Sequence, residues 1–321
     1  MENSLVRVKD LRKYFPVQGG LFKKTVKFIR AVDGVSFHMD PGMIFGLVGE
    51  SGCGKTTTAR AILRLVEPTA GQVYFDQKEI LGLSKEEMRK LRKDMQIIYQ
   101  DPYSSLSPRM TIEDIVGEPM EIFELFDPKE RKDRVAFLLE KVGLRPGDMK
   151  RYPHELSGGQ RQRVSIARAL MLNPKLVIGD EPVSALDLSI RSQIINLLLD
   201  LKEEYHLTYL IISHDFGVVA YLCDRVGVMY LGKIVEMADS SVICKYPAHP
   251  YTQALISAIP SVDPDLREKR ILLEGDIPSP MHPPSGCHFH PRCVRRKEIC
   301  GNEDPNFREI QTNHYVSCHS V

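Results

Sequence analysis

The sequence predicts an α/β fold built on a parallel sheet. Three observations point to it. Residues 49–56, Gly49-Glu50-Ser51-Gly52-Cys53-Gly54-Lys55-Thr56, fit the pattern G-x-x-x-x-G-K-[ST] at every fixed position. Apolar runs that read as strands alternate with helical patterns along most of the chain. One such run, starting at Leu176, ends in two carboxylates, Asp180 and Glu181, at the edge where open α/β sheets bind ligands.

The glycine-rich stretch is the centre of the reading. A phosphate needs several backbone N–H groups aimed at it at once, and glycines let the chain fold back that tightly. The turn leads into a helix N-terminus, whose dipole and free N–H groups favour anions. Lys55 reaches toward terminal phosphates, and the Thr56 hydroxyl suits Mg²⁺. Before it, Ile44-Phe45-Gly46-Leu47-Val48 reads as a short buried strand. After it, Ala59, Ile62, Leu63 and Val66 mark one face of a helix.

Taken in order, residues 5–45 read as β structure, with Tyr14-Phe15 closing the first strand. Val35, Phe37 and Met39 alternate with Ser36 and His38, and Gly19-Gly20 and Pro41-Gly42 are turns. Another strand is expected over 71–80 and a charged helix over 84–96. Gln96–Tyr99 is a short strand ending at Gln100, and Asp101–Pro108 is a loop by composition. Helices follow over 111–143, marked by Ile112, Ile115 and Val116, then Val135, Leu138, Leu139 and Val142. Ser157 caps a helix that buries Val164, Ala167, Leu170 and Met171. After the strand at 176–181, a helix through Ile190, Ile194, Leu197, Leu198 and Leu201 precedes a strand, 208–213, that delivers His214. One helix and two short strands fill 216–236. Beyond about 240, prolines become dense and periodicity fades, apart from a short helix near Tyr251–Ala258. The division expected is therefore 1–240 and an appendage over 241–321.

The chain has 321 residues, 26% charged, with a formal net charge of +1. That length supports an ample core, and the charge balance suggests neither nucleic acid nor an anionic membrane as partner. No apolar run approaches the ~18 residues of a spanning helix, and the first residues lack a signal-peptide layout. A soluble, cytosolic chain able to dock on a membrane protein is expected. Seven cysteines are present, and a reducing compartment disfavours disulfides among them.

Asp180 is placed to hold a Mg²⁺ ion bridging the phosphates, Glu181 to polarise an attacking water, and His214 to hold the γ-phosphate and orient that water. Hydrolysis would then proceed by positioning and electrostatics. With these residues in view, Leu156-Ser157-Gly158-Gly159-Gln160 resembles the full signature of the ATP-binding subunits of ABC transporters, a stretch other P-loop enzymes lack. The resemblance covers residues 5–240. It implies a RecA-like core, an N-terminal antiparallel β subdomain and a helical subdomain at about 101–165. It implies ATP and Mg²⁺ on residues 49–56 and Thr57, with Thr56, Asp180 and Gln100 toward the metal. Gln100 matches the family's Q-loop glutamine, Ser184–Asp187 its D-loop, Glu181 its catalytic glutamate and His214 its switch histidine. Phe15, with Tyr14 as runner-up, matches the adenine-stacking aromatic. Gly179 departs from the aliphatic residue usual there, and Cys53 within the P-loop is expected to be oxidation-sensitive. Two such domains would close head to tail, so that Ser157, Gly158, Gly159 and Gln160 cap the γ-phosphate on a partner's P-loop.

The tail resembles the C-terminal extension of oligopeptide and dipeptide importers, through His249-Pro250-Tyr251-Thr252, Ala258-Ile259-Pro260 and the stretch 278–287. That implies two membrane permease subunits, a second ATPase subunit, an extracytoplasmic peptide-binding protein and a place on the cytoplasmic side of the membrane. Cys287, Cys293, Cys300 and Cys318 crowd the end of the chain. Their residues alone allow free thiols, a Cys₄ zinc site or an iron–sulfur cluster. No pair has the C-x₂₋₄-C spacing of a zinc knuckle, and cluster spacing is more variable. The importer resemblance favours a [4Fe–4S] cluster, with His288, His290 and His319 as substitute ligands or exposed loop residues. Rival functions are a nickel or metal-chelate importer, a soluble ABC ATPase and a small-molecule kinase.

Overall fold

The computed structural model describes residues 4–19, 24–259 and 270–321. Gly20 of the expected first turn, and Pro260 and Pro264 of the tail, lie outside the described residues. By its contacts the chain divides into two compact units, Met1–Gly82 with Ser213–Val321, and Leu83–Ile212. The stretch after 240 therefore falls in the same unit as residues 49–56.

The first unit begins with two long antiparallel strands, β1 (Val6–Gly19) and β2 (Lys24–Met39), so β1 continues beyond Tyr14-Phe15. Val35, Phe37 and Met39 are buried, and Phe37 stacks on Phe45 at 4.6 Å between ring centroids. Then come β3 (Ile44–Val48), buried throughout, and α1 (Lys55–Ile62). This helix is shorter than its apolar periodicity suggests. Arg64 adopts a left-handed backbone, φ 49°, and leaves Val66 outside. The strand expected over 71–80 is a hairpin, β4 (Ala70–Phe75) and β5 (Lys78–Glu79). Asp76 and Gln77 both have positive φ, the backbone of a two-residue turn that matches strand twist.

The second unit holds α2 (Lys85–Leu91), β6 (Met95–Ile98), α3 (Pro102–Ser105), α4 (Ile112–Ile122), α5 (Pro128–Lys141), α6 (Gly158–Leu170), β7 (Leu176–Asp180), α7 (Leu188–Tyr205) and β8 (Thr208–Ser213). Strands β6, β7 and β8 are parallel neighbours. Helices α4, α5 and α6 pack on one another, and Ile112, Val116, Leu139 and Val164 along them are fully buried. Composition alone suggested a loop at 101–108. Asp101 instead accepts the Tyr103 N–H at 2.9 Å and starts the single turn α3.

The chain returns to the first unit through α8 (Phe216–Leu222), β9 (Arg225–Tyr230) and β10 (Lys233–Asp239). Beyond 240 come α9 (Ser240–Lys245), α10 (Pro250–Ser257), β11 (Phe307–Gln311) and β12 (His314–Ser317). In this unit β3 pairs parallel with β9, while β9–β10, β10–β12 and β11–β12 are antiparallel. The tail thus adds two strands to a sheet that contains β3. Among the described residues, no helix is long and apolar enough to cross a membrane.

Candidate functional site

Residues 49–56 lie between β3 and α1, as their flanks require. A Cβ on Gly49 would meet the Met229 carbonyl oxygen at 2.2 Å, and one on Gly54 the Ala31 carbonyl oxygen at 2.0 Å. Gly54 also has φ 113°, which an L side chain rarely adopts. Backbone packing on both flanks therefore demands glycine at these two positions. Gly54 is the N-cap of α1, which has no side-chain cap and no acidic residue in its first turn. The positive end of the helix is left for an external anion. Lys55 is 5% exposed, and its Nζ donates to Gly49 O at 2.7 Å and Glu50 O at 3.0 Å. Ser51 and Gly52 face outward, while Thr56 and Thr57 are half-buried in the first turn of α1.

Cys53 corrects an expectation. It is 4% exposed, and burial, opposed by the Lys55 charge, raises its thiol pKa. A buried, protonated thiol is a poor nucleophile, so oxidation sensitivity does not follow.

The second unit gathers other predicted residues. Asp180 ends β7, 3% exposed. Register runs unbroken through Gly179, paired with Ile98 on one side and Ile211 on the other. A Cβ on Gly179 would sit 3.0 Å from both Ile211 Cδ1 and Pro182 Cγ. The small residue thus makes room for Pro182. Glu181 leaves the strand with φ 51°, donating its N–H to Ile212 O at 3.0 Å. Gln100 Nε2 donates to Glu181 Oε2 at 3.0 Å, so two residues 81 positions apart meet. Ser157 caps α6 reciprocally: its Oγ accepts the Gln160 N–H at 3.3 Å, and its own N–H donates to Gln160 Oε1 at 2.9 Å. Gly158 and Gly159 form the first turn, and a Cβ on Gly159 would lie 2.6 Å from Ile190 Cγ2. Asp187 of the 184–187 stretch is the N-cap of α7.

In the first unit, His214 follows β8 and is exposed. Asp215 beside it caps α8. Tyr14 donates its hydroxyl to Asp33. Phe15 is half-buried, with Lys13 Nζ 4.8 Å from its ring centre.

Sequence reasoning missed what the tail does to residue 50. Arg292 donates from Nη1 to Glu50 Oε2 at 2.7 Å and from Nη2 to Oε1 at 3.1 Å. The carboxylate raises the guanidinium pKa further. The Glu50 N–H donates to the Tyr251 hydroxyl at 2.9 Å. No local pattern signals contacts across more than 200 positions.

Among the described residues, no group of three or more His, Cys, Asp or Glu side chains could hold a metal ion. Cys293 ends a 3₁₀ turn, Cys300 lies inside another, and Cys318 follows β12. All seven cysteines are free thiols. Burial pushes Cys287 up to about 11, helped by the three other tail thiols. The nearby histidines bond to carbonyls: His288 to Leu231 at 3.2 Å, His290 to Cys287 at 2.9 Å, His319 to Glu303 at 2.9 Å. His288 is buried rather than an exposed loop residue.

The family model described as ABC transporter matches residues 32–184. An oligopeptide transport ATP-binding protein of Bacillus subtilis, AppF, is 50% identical over 321 residues, covering 99% of this chain and 98% of its own. The chain belongs to the ABC transporter ATPases. A second family model, oligopeptide/dipeptide transporter, C-terminal region, matches residues 235–300. Among solved structures, the ATP-binding cassette MJ0796, a dimer bound to ADP and phosphate after hydrolysis, is 30% identical with a TM-score of 0.65. It covers 73% of this chain and 98% of its own. CbiO1 of Clostridium perfringens, part of an ABC transporter complex, is 27% identical with a TM-score of 0.66. It covers 76% of this chain and 92% of its own. An ABC ATPase uses ATP and Mg²⁺, and the fold is the P-loop ABC ATPase fold with mixed α/β sheets.

Proposed function

We propose that this chain is the ATP-hydrolysing subunit of a peptide importer, working with two membrane permeases, a second ATPase subunit and an extracytoplasmic peptide-binding protein, on the cytoplasmic face of the membrane. The observation that carries this reading is full-length similarity to an oligopeptide transport ATPase, tail included. A kinase lacks the Leu156–Gln160 stretch, and the tail match disfavours a non-transport ABC ATPase. The division of labour follows the family: residues 1–240 handle the nucleotide, and 241–321 form the importer extension.

Within that reading, the P-loop N–H groups and Lys55 bind the phosphates, and Phe15 stacks on adenine. Tyr14 is the weaker choice because its hydroxyl is engaged by Asp33. The Thr56 hydroxyl, Asp180 carboxylate and Gln100 amide oxygen are hard donors of the kind Mg²⁺ prefers. Glu181 orients the water that attacks the γ-phosphorus as the bond to ADP breaks, and Gln100 holds the Glu181 carboxylate. His214 holds the γ-phosphate. Ser157, Gly158, Gly159 and Gln160 offer an exposed helix N-terminus to a partner's γ-phosphate. The test is reconstitution with the two permeases and a peptide-binding protein. Peptide uptake dependent on ATP is expected, and uptake of a nickel chelate with no peptide uptake would reverse the assignment.

The finer reading of the tail is a [4Fe–4S] cluster on Cys287, Cys293, Cys300 and Cys318. Its support is chemical. The thiols lie within one another's electrostatic reach. Each sulfur accepts a backbone N–H: from Phe289 to Cys287, from Arg295 to Cys293, from Lys297 to Cys300 at 3.4 Å, and from Ser320 to Cys318 at 3.3 Å. Such donors stabilise thiolate charge and tune cluster sulfurs. Zinc sites usually draw on C-x₂₋₄-C knuckles, a spacing these four cysteines lack. Bound metal would contribute directly to folding of this segment. Anaerobically purified protein should be brown, with about four irons and four sulfides. Colourless protein with one zinc would restore the zinc site, and metal-free protein would leave four thiols.

A further inference from the structure

Glu50, the second residue of the P-loop, is held at two points by the tail. Its carboxylate receives both terminal nitrogens of Arg292, whose side chain is only 7% exposed. Its N–H is received by the hydroxyl of Tyr251, which is fully buried. The two grips are joined by packed rings. Tyr230 meets Tyr251 edge-on at 4.8 Å and Phe289 at 5.2 Å. Phe289 lies 5.4 Å from Tyr251, and the Arg292 guanidinium 6.0 Å from the Tyr230 ring. The remaining polar group of Glu50, its carbonyl, accepts from Lys55 Nζ and from the Cys53 N–H at 3.3 Å. One residue therefore links the tail to the phosphate-binding lysine.

A bidentate Arg–carboxylate pair fixes the plane of both groups, and a bond to the same residue's N–H fixes its peptide. Together they leave Glu50 little freedom to turn its carbonyl away from Lys55. Arg292 closes the 3₁₀ turn His290–Arg292, between Cys287 and Cys293. Its position is thus set by how that short segment folds.

We propose that Arg292 and Tyr251 are positioning residues of the nucleotide site: by holding Glu50 they set the P-loop conformation that Lys55 shares, and they tie nucleotide affinity to the folded state of the 287–293 segment. The proposal rests on the reading of residues 49–56 as the ATP site. Coupling of this kind is reciprocal, so bound nucleotide must in turn steady the tail.

The test uses the full chain and MgATP, with affinity measured by calorimetry and backbone exchange followed over 286–300. Arg292→Ala should weaken MgATP binding about tenfold, within the usual range of coupling between sites. Arg292→Lys, which keeps charge but loses the paired geometry, should fall between. In the Glu50→Gln background, Arg292→Ala should add much less, because the two act as a unit. MgATP should slow exchange over 286–300 in the native chain and not in Arg292→Ala. Native affinity in Arg292→Ala, or an unchanged exchange response, overturns the proposal. Should Arg292→Ala expose the tail to protease, Tyr251→Phe and Glu50→Gln decide, since neither substitutes a residue of the cysteine segment: native affinity in both overturns it, and weakened affinity in both upholds it. A native chain that fails to bind MgATP would instead overturn the nucleotide reading, and this proposal with it.

Discussion

At the scale of single residues, the candidate chemistry turns on Glu181. Its left-handed backbone costs on the order of 1 kcal/mol, and its N–H bond to Ile212 O helps hold that conformation. The side chain is thereby carried out of the strand line that buries Asp180. If Glu181 orients the attacking water, Glu181→Gln should keep MgATP binding and lose hydrolysis by a factor on the order of 10²–10⁴. Phosphate-release kinetics alongside nucleotide binding would measure both, and near-native turnover would reassign the residue. Cys53 supports a second prediction. With its thiol buried and its pKa raised, alkylation by iodoacetamide should be slow in the native chain and fast in denaturant. Prompt modification of the native thiol would show that the loop opens. The identity of these residues was legible in sequence because the P-loop and signature are contiguous patterns. The Gln100–Glu181 bond and the backbone of Glu181 were not, since the first depends on strands β6 and β7 lying side by side and the second on β7 lying beside β8.

At the scale of elements, α6 was readable in advance because its cap is local: Ser157 and Gln160 satisfy each other within one turn. The tail was not. Density of proline reads as irregular structure, yet this segment is anchored on a buried carboxylate. Glu236, fully buried on β10, accepts from Ala248 N at 2.8 Å, His249 N at 2.9 Å and His314 Nε2 at 2.8 Å. One side chain thereby ties the entry to α10 and strand β12 to the sheet. His249 caps α10, accepting the Tyr251 N–H at 3.1 Å. Burial, partly offset by Glu236, lowers its pKa to about 4. An unfolded histidine titrates near ~6.5. Between those values the unfolded chain binds the extra proton, so stability falls as pH drops from about 6.5 toward 4 and is level above that window. His249→Asn keeps an N-cap acceptor but cannot titrate there. Urea unfolding at pH 7 and pH 5 should show a smaller loss in the variant than in the native chain. Equal losses would place the pH sensitivity elsewhere.

At the scale of the whole molecule, the exposed N-terminus of α6 has a consequence. If Ser157, Gly158 and Gly159 serve a partner's nucleotide, each site is incomplete in a lone chain. Specific ATPase activity should then rise steeply with protein concentration, or on adding permease subunits, and Ser157→Arg should abolish that rise while leaving nucleotide binding intact. Activity per chain that is high and independent of concentration would mark a self-contained enzyme.

What the sequence determined by itself is the chemistry carried by short contiguous motifs: the P-loop, the signature stretch, the paired carboxylates after 176, and the class of fold that alternating strands and helices imply. These are legible because hydrogen bonding and periodicity within a few residues dictate them. Only the tertiary structure decided where the tail belongs. Its strands β11 and β12 form a short hairpin, marginal by itself, that joins the sheet through the pairing of β12 with β10. Arg292 and Tyr251 look like ordinary residues of a Pro-rich segment until the fold brings them to Glu50. A two-point, part-buried ion pair forms only where packing aligns both partners, and that is a property of the folded unit rather than of either stretch alone.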